Sequence, residues 1–225
     1  MIEIKNLKKS FKDGESTTEV LKGIDFTAKT GEFIAIMGRS GAGKSTLLYQ
    51  MSLLDEPTSG EIFIDGKNMV PLSIDEKTAF RLSELGYVFQ DYALLPELTA
   101  LENVVLPLLM QNFSEKIAYE KAIEHLTLVG LEKRLNNLPG QLSGGEQQRV
   151  SIARAIAHEP KILFADEPTA NLDNESSRII MNIFKKLHSE EGQTIVMVTH
   201  ETEFSKFAQR IIHLDDGKIV GEEKN

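Results

Sequence analysis

Eight consecutive residues, Gly38 to Ser45, have the types and spacing needed to hold a chain of phosphates. They read Gly-Arg-Ser-Gly-Ala-Gly-Lys-Ser and fit the pattern G-x-x-x-x-G-K-[ST]. Glycines allow successive backbone N–H groups to turn toward an anion, and a helix that begins in the loop adds the positive end of its dipole. Lys44 then reaches the β- and γ-phosphates, and the Ser45 hydroxyl is placed to bind Mg²⁺. The loop therefore predicts a site for ATP with Mg²⁺.

The residues on either side of the loop agree with this interpretation. The apolar run Phe33 to Met37 precedes the loop and predicts a buried strand, and Lys44 to Leu54 predicts a helix. Strand, loop and helix in this order are the setting that a phosphate loop requires. The alternative, a glycine-rich turn that only starts a helix, does not need all three parts in register. Arg39 is not explained by the pattern.

Two acids directly follow another apolar run. Lys161 to Ala165 predicts a buried parallel strand, and Asp166 and Glu167 come next. The carboxyl ends of such strands are where α/β folds bind ligands. We expect Asp166 to be the Mg²⁺ partner of Ser45, and Glu167 to take a proton from an attacking water, a role typically worth about 10²–10⁴ in rate. Two acids at a strand end are ordinarily a solvated turn, and the phosphate loop is what favours the functional interpretation.

A second pair of glycines begins a predicted helix. Leu142 to Gln147 reads Leu-Ser-Gly-Gly-Glu-Gln, and Ser143 and Glu146 have the spacing of a capping box. Glycines in the first turn each cost about 1 kcal/mol relative to alanine, which the close approach of another group would justify. Exposed N–H groups there, with Ser143 as an added donor, predict a second anion site. The alternative is an ordinary helix start.

Other patterns outline the rest of the chain. Ile2 to Ile4 and Val20-Leu21 predict strands, and the polar stretch Lys12 to Glu19 between them predicts a hairpin or a longer loop. Thr194 to Thr199 predicts a further buried strand, and Glu115 to Val129 has a helical pattern. An inserted, mainly helical lobe accounts for the distance between the first two buried strands.

The segments Gly38 to Ser45, Leu142 to Gln147 and Ile162 to Glu167 together resemble the ABC ATPase family, over essentially the whole chain. The resemblance implies an α/β fold: a P-loop NTPase core with a mostly parallel sheet, a small antiparallel β lobe and an inserted helical lobe. It implies a single domain, residues 1–225, with the core and β lobe in residues 1–90 and 156–225 and the helical lobe in residues 91–155. The implied activity is transport-coupled hydrolysis of ATP to ADP and phosphate.

The resemblance also implies a homodimer that forms on ATP binding. Leu142 to Gln147 of one copy then covers the ATP held by the phosphate loop of the other copy. The residues expected to bind ATP are Phe11, Gly38, Arg39, Ser40, Gly41, Ala42, Gly43, Lys44, Ser45, Thr46, Ser143, Gly144, Gly145 and Gln147. The expected catalytic residues are Lys44, Gln90, Glu167 and His200, and the expected Mg²⁺ ligands are Ser45, Gln90 and Asp166.

Four single residues take their roles only through the resemblance. Gln90 matches the glutamine that senses Mg²⁺ and links the core to the helical lobe. His200 matches the histidine that contacts the γ-phosphate and the attacking water. Asp173 matches a residue of the loop that communicates across the dimer, and Phe11 matches the aromatic that stacks on adenine. Phe11 is equally compatible with a strand residue packed in the core.

The segment Gln90 to Val104 resembles the ATPases of the lipoprotein-release and macrolide-export group, and Pro168 to Asp173 indicates the same group. In this group the region receives a short helix from an integral membrane permease, so we expect the permease to dock near Gln90 to Leu101. The alternative is an internal core contact of the helical lobe. Arg39 departs from the proline common in the group, and Met51 to Leu53 replaces a glycine-containing stretch.

The composition narrows the class of partner. A formal charge of −9 argues against a duplex-DNA binder, which presents a basic face to phosphates. No apolar run approaches the roughly 20 residues needed to span a bilayer, and Met1 to Lys5 lack the layout of a signal peptide. We expect no nucleic-acid partner and a cytoplasmic, peripheral protein, held at the cytoplasmic face of the inner membrane by its permease. The chain has no cysteine, which excludes disulfides.

Other classes within the family are the alternatives. DNA-repair and chromosome ATPases carry a long coiled-coil insertion or further DNA-binding domains, and translation factors carry two cassettes. This chain has neither feature. A non-transport, mechanical signalling ATPase of the cell-division type shares all the motifs, so the sequence leaves it open. The sequence also leaves open the cargo, which a membrane subunit decides.

Overall fold

The computed structural model describes residues 1–14 and 16–225. The strands in these residues are β1 (Ile2–Asp13), β2 (Ser16–Ala28), β3 (Phe33–Met37), β4 (Ser59–Ile64), β5 (Lys67–Asn68), β6 (Leu85–Val88), β7 (Ile162–Asp166), β8 (Thr194–Val198), β9 (Arg210–Asp215) and β10 (Lys218–Lys224). The helices are α1 (Lys44–Met51), α2 (Ile74–Glu84), α3 (Ala100–Met110), α4 (Glu115–Leu128), α5 (Gly144–Ile156), α6 (Asn174–Glu191) and α7 (Thr202–Ser205).

These elements belong to two compact units. The first unit comprises Met1–Ala79 and Gly192–Asn225, and the second comprises Phe80–Glu191. The division falls within α2.

The first unit contains an antiparallel sheet with strand order β2-β1-β4-β5. Strands β1 and β2 form a long hairpin whose register runs from Ile2 opposite Ala28 to Asp13 opposite Ser16. The longer loop predicted over Lys12 to Glu19 is therefore wrong, and the hairpin alternative is confirmed, with much longer strands than the apolar runs indicated. The outer part of the hairpin is exposed, so backbone pairing continues there without an apolar pattern to reveal it.

The first unit also contains the strands that hold the phosphate loop, in the order β10-β9-β3-β8. Strand β3 pairs in parallel with β8 and with β9, so that Ile36 lies opposite both Val198 and Ile212. Strands β3 and β8 are almost completely buried, as expected of parallel strands covered on both faces. Each fully buried Val, Ile or Phe of this kind contributes roughly 1.5–3 kcal/mol. The carboxyl ends of β3 and β8 meet at one edge as a result.

The second unit combines a parallel strand pair with packed helices. Strands β6 and β7 pair with Val88 opposite Ala165. Helices α3, α4 and α5 pack against one another through apolar side chains that are fully buried, such as Val104, Leu126 and Val150. Helix α3 begins at a capping box in which the Thr99 side chain accepts from the Glu102 N–H and the Glu102 carboxylate accepts from the Thr99 N–H. Helix α4 spans almost the predicted range.

Candidate functional site

The loop Gly38 to Ser45 connects β3 to α1, as predicted. Its glycines are required by geometry: Gly43 precedes α1 with φ 97°, a conformation that L side chains rarely adopt. A β-carbon on Gly38 would lie 2.1 Å from the backbone oxygen of Leu214. No side chain of the described residues caps the first turn of α1, and that turn carries no acid. The start of α1 therefore favours an external anion as its cap.

Lys44 lies inside this loop with its ammonium group turned back onto the loop backbone. The side chain is buried, with 6% of the residue exposed, and Nζ donates to the backbone oxygen of Arg39 at 3.1 Å. The phosphates of a nucleotide would place negative charge against this buried ammonium group. Helix α1 ends at Met51 rather than at the predicted Leu54, because Leu53 adopts a left-handed conformation with φ 60°.

His200 lies at the same edge of the first unit as the phosphate loop. It follows β8, and the preceding Thr199 donates its N–H to the backbone oxygen of Ile36 at 3.1 Å. Since Ile36 is two residues before Gly38, the parallel pairing of β3 with β8 brings the histidine and the loop together at the carboxyl ends of these strands. His200 is exposed.

Asp166, Glu167 and Gln90 come together in the second unit. Asp166 is the last residue of β7 and only 4% exposed, whereas Glu167 adopts a left-handed conformation with φ 43°. Such strain in a non-glycine residue costs on the order of 1–3 kcal/mol and is concentrated at functional sites. Gln90 follows β6, the parallel neighbour of β7, and its backbone oxygen accepts a hydrogen bond from Asn171 Nδ2 at 3.1 Å. No sequence pattern indicates this hydrogen bond of Asn171.

The oxygen donors predicted for Mg²⁺ suit that ion by type. Ser45 would supply a hydroxyl, Gln90 an amide oxygen and Asp166 a buried carboxylate. Mg²⁺ prefers such hard oxygen ligands, with phosphate oxygens and water completing its shell. In residues 1–14 and 16–225, no group of three or more His, Cys, Asp or Glu side chains could hold a metal.

Ser143 begins α5 with the predicted capping box, which the structure confirms. The Ser143 side chain accepts from the Glu146 N–H at 3.3 Å, and the Glu146 carboxylate accepts from the Ser143 N–H at 2.9 Å. Glu146 also pairs with Arg134 at 2.9 Å. The pKa of Glu146 is lowered from its ordinary value, mainly by the hydrogen bond from the Ser143 N–H and next by the hydrogen bond from Arg134. The Ser143 hydroxyl hydrogen is not used by the cap and can be donated to a ligand.

The two glycines after Ser143 are required by neighbours in their own chain. A β-carbon on Gly144 would lie 2.9 Å from the Tyr92 hydroxyl oxygen, and one on Gly145 would lie 2.7 Å from Ser176 Oγ. The groups that approach these two glycines closely therefore include the side chains of Tyr92 and Ser176. Burial raises the pKa of the Tyr92 hydroxyl. The second anion site remains a prediction.

The contact between Tyr92 and Gly144 can be tested with a pair of substitutions. Gly144→Ala is expected to destabilise the fold by about 1–3 kcal/mol, the usual cost of overpacking. Adding Tyr92→Phe should recover most of that loss, because the next atom of the ring, Cζ, lies at an ordinary 3.8 Å. Urea unfolding of the two single variants and the double variant gives the coupling free energy.

Gly140→Ala is the matched control, since a β-carbon on Gly140 would meet nothing within 4 Å. Equal costs of Gly144→Ala with Tyr92 or Phe at position 92 would show that packing against Tyr92 is not the reason for this glycine. ATP turnover of the double variant separates the two explanations of Gly144, because recovered stability with lost turnover would assign the glycine a ligand as well.

Phe11 and Asp173 have local explanations beside their predicted roles. Phe11 lies on β1 with 47% of the residue exposed, so the core-packing alternative is wrong. Lys9 Nζ lies 4.9 Å from the centre of its ring. The Asp173 carboxylate accepts from the Ser176 N–H at 2.8 Å at the start of α6, and this bond lowers its pKa. Stacking of Phe11 on adenine and signalling by Asp173 stay predictions.

The second unit also contains a groove of about 290 Å³ beside Gln90 to Leu101. Ala93 and Leu95 lie in one wall, and α3 supplies Leu106 and Met110 to another. Leu95 is 44% exposed and Met110 61%. The alternative that this segment forms only an internal core contact is therefore wrong for Leu95.

No helix within residues 1–14 and 16–225 is long and apolar enough to cross a membrane.

The fold and these groups define a P-loop ATPase: a glycine loop between a buried parallel strand and a helix, and two acids at the end of another buried strand. The sequence profile described as ABC transporter matches residues 21–170, and the chain belongs to this family. It is an ATP-binding, ATP-hydrolysing subunit of the ABC type, which confirms the predicted family and activity.

Two of the curated relatives are similar over almost their whole length, and a third is similar over about a third of its length. The chain is 50% identical over 220 residues to an uncharacterized ABC transporter ATP-binding protein of Methanocaldococcus jannaschii, covering 98% of each chain. It is 50% identical over 204 residues to the lipoprotein-releasing system ATP-binding protein LolD of Aquifex aeolicus, covering 91% of each. It is 48% identical to the macrolide export ATP-binding/permease protein MacB of Chlorobium phaeobacteroides, of which it spans 34%.

A solved structure supports the fold. The dimeric post-hydrolysis state of the ATP-binding cassette MJ0796, bound to ADP and Pi, matches with a TM-score of 0.94 and 46% identity, covering all of this chain and 98% of that one. The predicted α/β fold of the ABC ATPase type is therefore confirmed.

Proposed function

We propose that the chain hydrolyses ATP as a homodimer and thereby drives a separate integral membrane permease of the lipoprotein-release or macrolide-export type. The phosphate loop is the main support for this proposal. Side chains at Gly38 and Gly43 would be excluded by close neighbours or by the backbone conformation, and the buried cation Lys44 lies in the same loop. The relatives named LolD and MacB, and the dimeric relative bound to ADP and Pi, support the type of system and the dimer.

In this proposal each predicted group has one task. Lys44 exchanges its bond to the Arg39 backbone oxygen for the β- and γ-phosphates, and the N–H groups at the start of α1 bind the phosphate chain. Glu167 accepts a proton from the water that attacks the γ-phosphorus, while the bond from the γ-phosphorus to the bridging oxygen breaks and that oxygen leaves with ADP. His200 orients the attacking water and the γ-phosphate. Gln90, Ser45 and Asp166 would hold Mg²⁺, which supplies neutralising charge for the β- and γ-phosphate oxygens.

The dimer completes the site in this proposal. Ser143, Gly144, Gly145 and Gln147 of the second copy would bind the γ-phosphate with the hydroxyl of Ser143 and the N–H groups at the start of α5. The capping geometry of Ser143 supports this role, because its hydroxyl is held at the helix N-terminus by the bond from the Glu146 N–H. Hydrolysis would then depend on chain concentration.

A mixture of two inactive variants tests the composite site. Lys44→Ala removes the phosphate-loop cation, and Ser143→Asp keeps a good helix cap while placing a negative charge where the γ-phosphate would lie. Each variant alone is expected to be inactive. An equal mixture should recover about a quarter of wild-type turnover, since half of the dimers are mixed and each has one of its two sites intact.

Turnover of the mixture no higher than that of the single variants would contradict the composite site. Turnover per chain that does not change on dilution of the wild-type protein would contradict the dimer. Both are measured by phosphate release.

For the membrane partner, we propose docking of a permease segment near Gln90 to Leu101, in the groove beside α3. The exposed Leu95 and Met110 support a surface that a partner covers. The protein would then be peripheral at the cytoplasmic face of the inner membrane.

A further inference from the structure

One cation in the groove forms no ion pair with an acid of the described residues. Arg154 lies on α5 and lines the groove, where NH1 donates to the Ala93 backbone oxygen at 2.6 Å and NH2 to the Tyr92 backbone oxygen at 3.0 Å. No carboxylate among residues 1–14 and 16–225 forms an ion pair with it. Burial lowers the pKa of the Arg154 guanidinium. Among the described residues, the hydrogen bonds of this partly buried cation therefore go to neutral carbonyl groups.

The other lining residues do not balance this charge. In the part of the chain that the structure describes, no Asp or Glu lines the groove, and its remaining titratable side chains are Arg81, Tyr87 and His158. His158 Nε2 lies 3.1 Å from the Leu85 backbone oxygen, so Nε2 carries the proton, and burial lowers the pKa of the ring. The neutral imidazole adds no charge. The groove is thus mostly apolar, with the positive charge of Arg154 in its wall.

An unpaired buried cation is costly, whereas a hydrogen-bonded ion pair offsets much of the loss of hydration. Two of the five guanidinium N–H groups are used by Tyr92 and Ala93, which leaves others for a carboxylate. An arginine that is already held in place loses little freedom when it binds a carboxylate. The groove thus fits a short apolar segment that carries one acid.

We propose that the permease segment that docks in this groove brings an Asp or Glu carboxylate to Arg154. This inference rests on the proposed function, because it names the chemistry of the partner at the proposed docking surface. It also links the partner to the start of α5. Tyr92 and Ala93, whose carbonyl groups Arg154 holds, have φ 64° and 49°, and the Tyr92 hydroxyl lies against Gly144.

The test uses two fluorescent helical peptides with one apolar face of Leu and Met. They differ only at one central position on that face, which is Glu in one peptide and Gln in the other. Binding to the full chain is followed by fluorescence anisotropy. The Glu peptide is expected to bind about tenfold more tightly than the Gln peptide, as for a charge-assisted pair. In Arg154→Gln this preference should fall to about twofold or less, because the partner of the carboxylate is gone.

Arg81→Gln is the matched control, since it removes a positive charge from the same groove. It should keep most of the preference for Glu. Equal binding of the two peptides by the wild-type chain overturns the inference without any variant, so misfolding of Arg154→Gln does not prevent a decision. A preference that survives in Arg154→Gln, or that is lost in Arg81→Gln alone, also overturns it.

The outcomes separate this inference from the proposed function. If the chain hydrolyses ATP and binds both peptides equally, only the proposal of an acidic partner for Arg154 is contradicted. If the chain binds neither peptide, the groove is not a docking surface for an apolar helix, and both the proposed docking and this inference are wrong. ATP turnover of the chain is measured separately by phosphate release.

Discussion

Glu167→Gln is expected to lower ATP turnover by about 10²–10⁴ while ATP binding is retained. The substitution replaces a carboxylate with an amide of the same shape, so the proposed base is lost and the phosphate contacts of Lys44 and the α1 N-terminus remain. Glutamine can occupy the left-handed backbone, φ 43°, at a cost similar to that for glutamate. ATP that binds without being hydrolysed should hold two copies together. Phosphate release and light scattering with ATP measure the two effects.

Glu124→Gln is a suitable control for this variant. Glu124 lies on α4 and is exposed, so its substitution should leave turnover unchanged. Normal turnover in Glu167→Gln would show that another group takes the proton. Lost ATP binding in that variant would instead assign Glu167 to nucleotide or metal binding.

Lys44→Ala is expected to weaken ATP binding itself. The buried ammonium group donates to the Arg39 backbone oxygen at 3.1 Å and has only 6% of the residue exposed, so it is held where the phosphates are expected. Hydrogen bonds to a charged group are worth about 1.5–3 kcal/mol, which corresponds to roughly 10- to 150-fold in Kd. Titration with a fluorescent ATP analogue measures the change.

Lys29→Ala, at an exposed position of the same unit, controls for the loss of one positive charge. It should bind ATP like the wild-type chain. Equal affinities of Lys44→Ala and the wild type would remove Lys44 from the site. Thermal unfolding without nucleotide shows whether Lys44→Ala remains folded, so weak binding is not confused with unfolding.

The local parts of the site could be predicted because their signals are contiguous in the chain. The loop Gly38 to Ser45 was found from its pattern, and the structure places it between β3 and α1 as expected. The ends of β7 and β8 agree with the apolar runs to within one residue. The capping box of Ser143 and Glu146 was likewise visible, since its two partners are three residues apart.

The errors fall where the signal is not contiguous. Strands β1 and β2 extend far beyond their apolar residues, because their exposed ends are held by backbone hydrogen bonds that side-chain patterns do not show. Helix α1 ended early at the left-handed Leu53, which no residue type indicated. The hydrogen bond from Asn171 to Gln90 could not be predicted, since it joins residues far apart in the chain.

The sequence by itself determined the chemistry of this protein: a phosphate loop, two acids after a buried strand and a helix that begins with Ser-Gly-Gly. Each depends on neighbours within a few residues, where backbone geometry follows from residue type. Only the tertiary structure decided why Gly144 must lack a side chain and why the Arg154 guanidinium is bonded to backbone carbonyl groups. Both facts come from Tyr92 and Ala93, which lie some fifty to sixty residues away along the chain and are brought close only by folding.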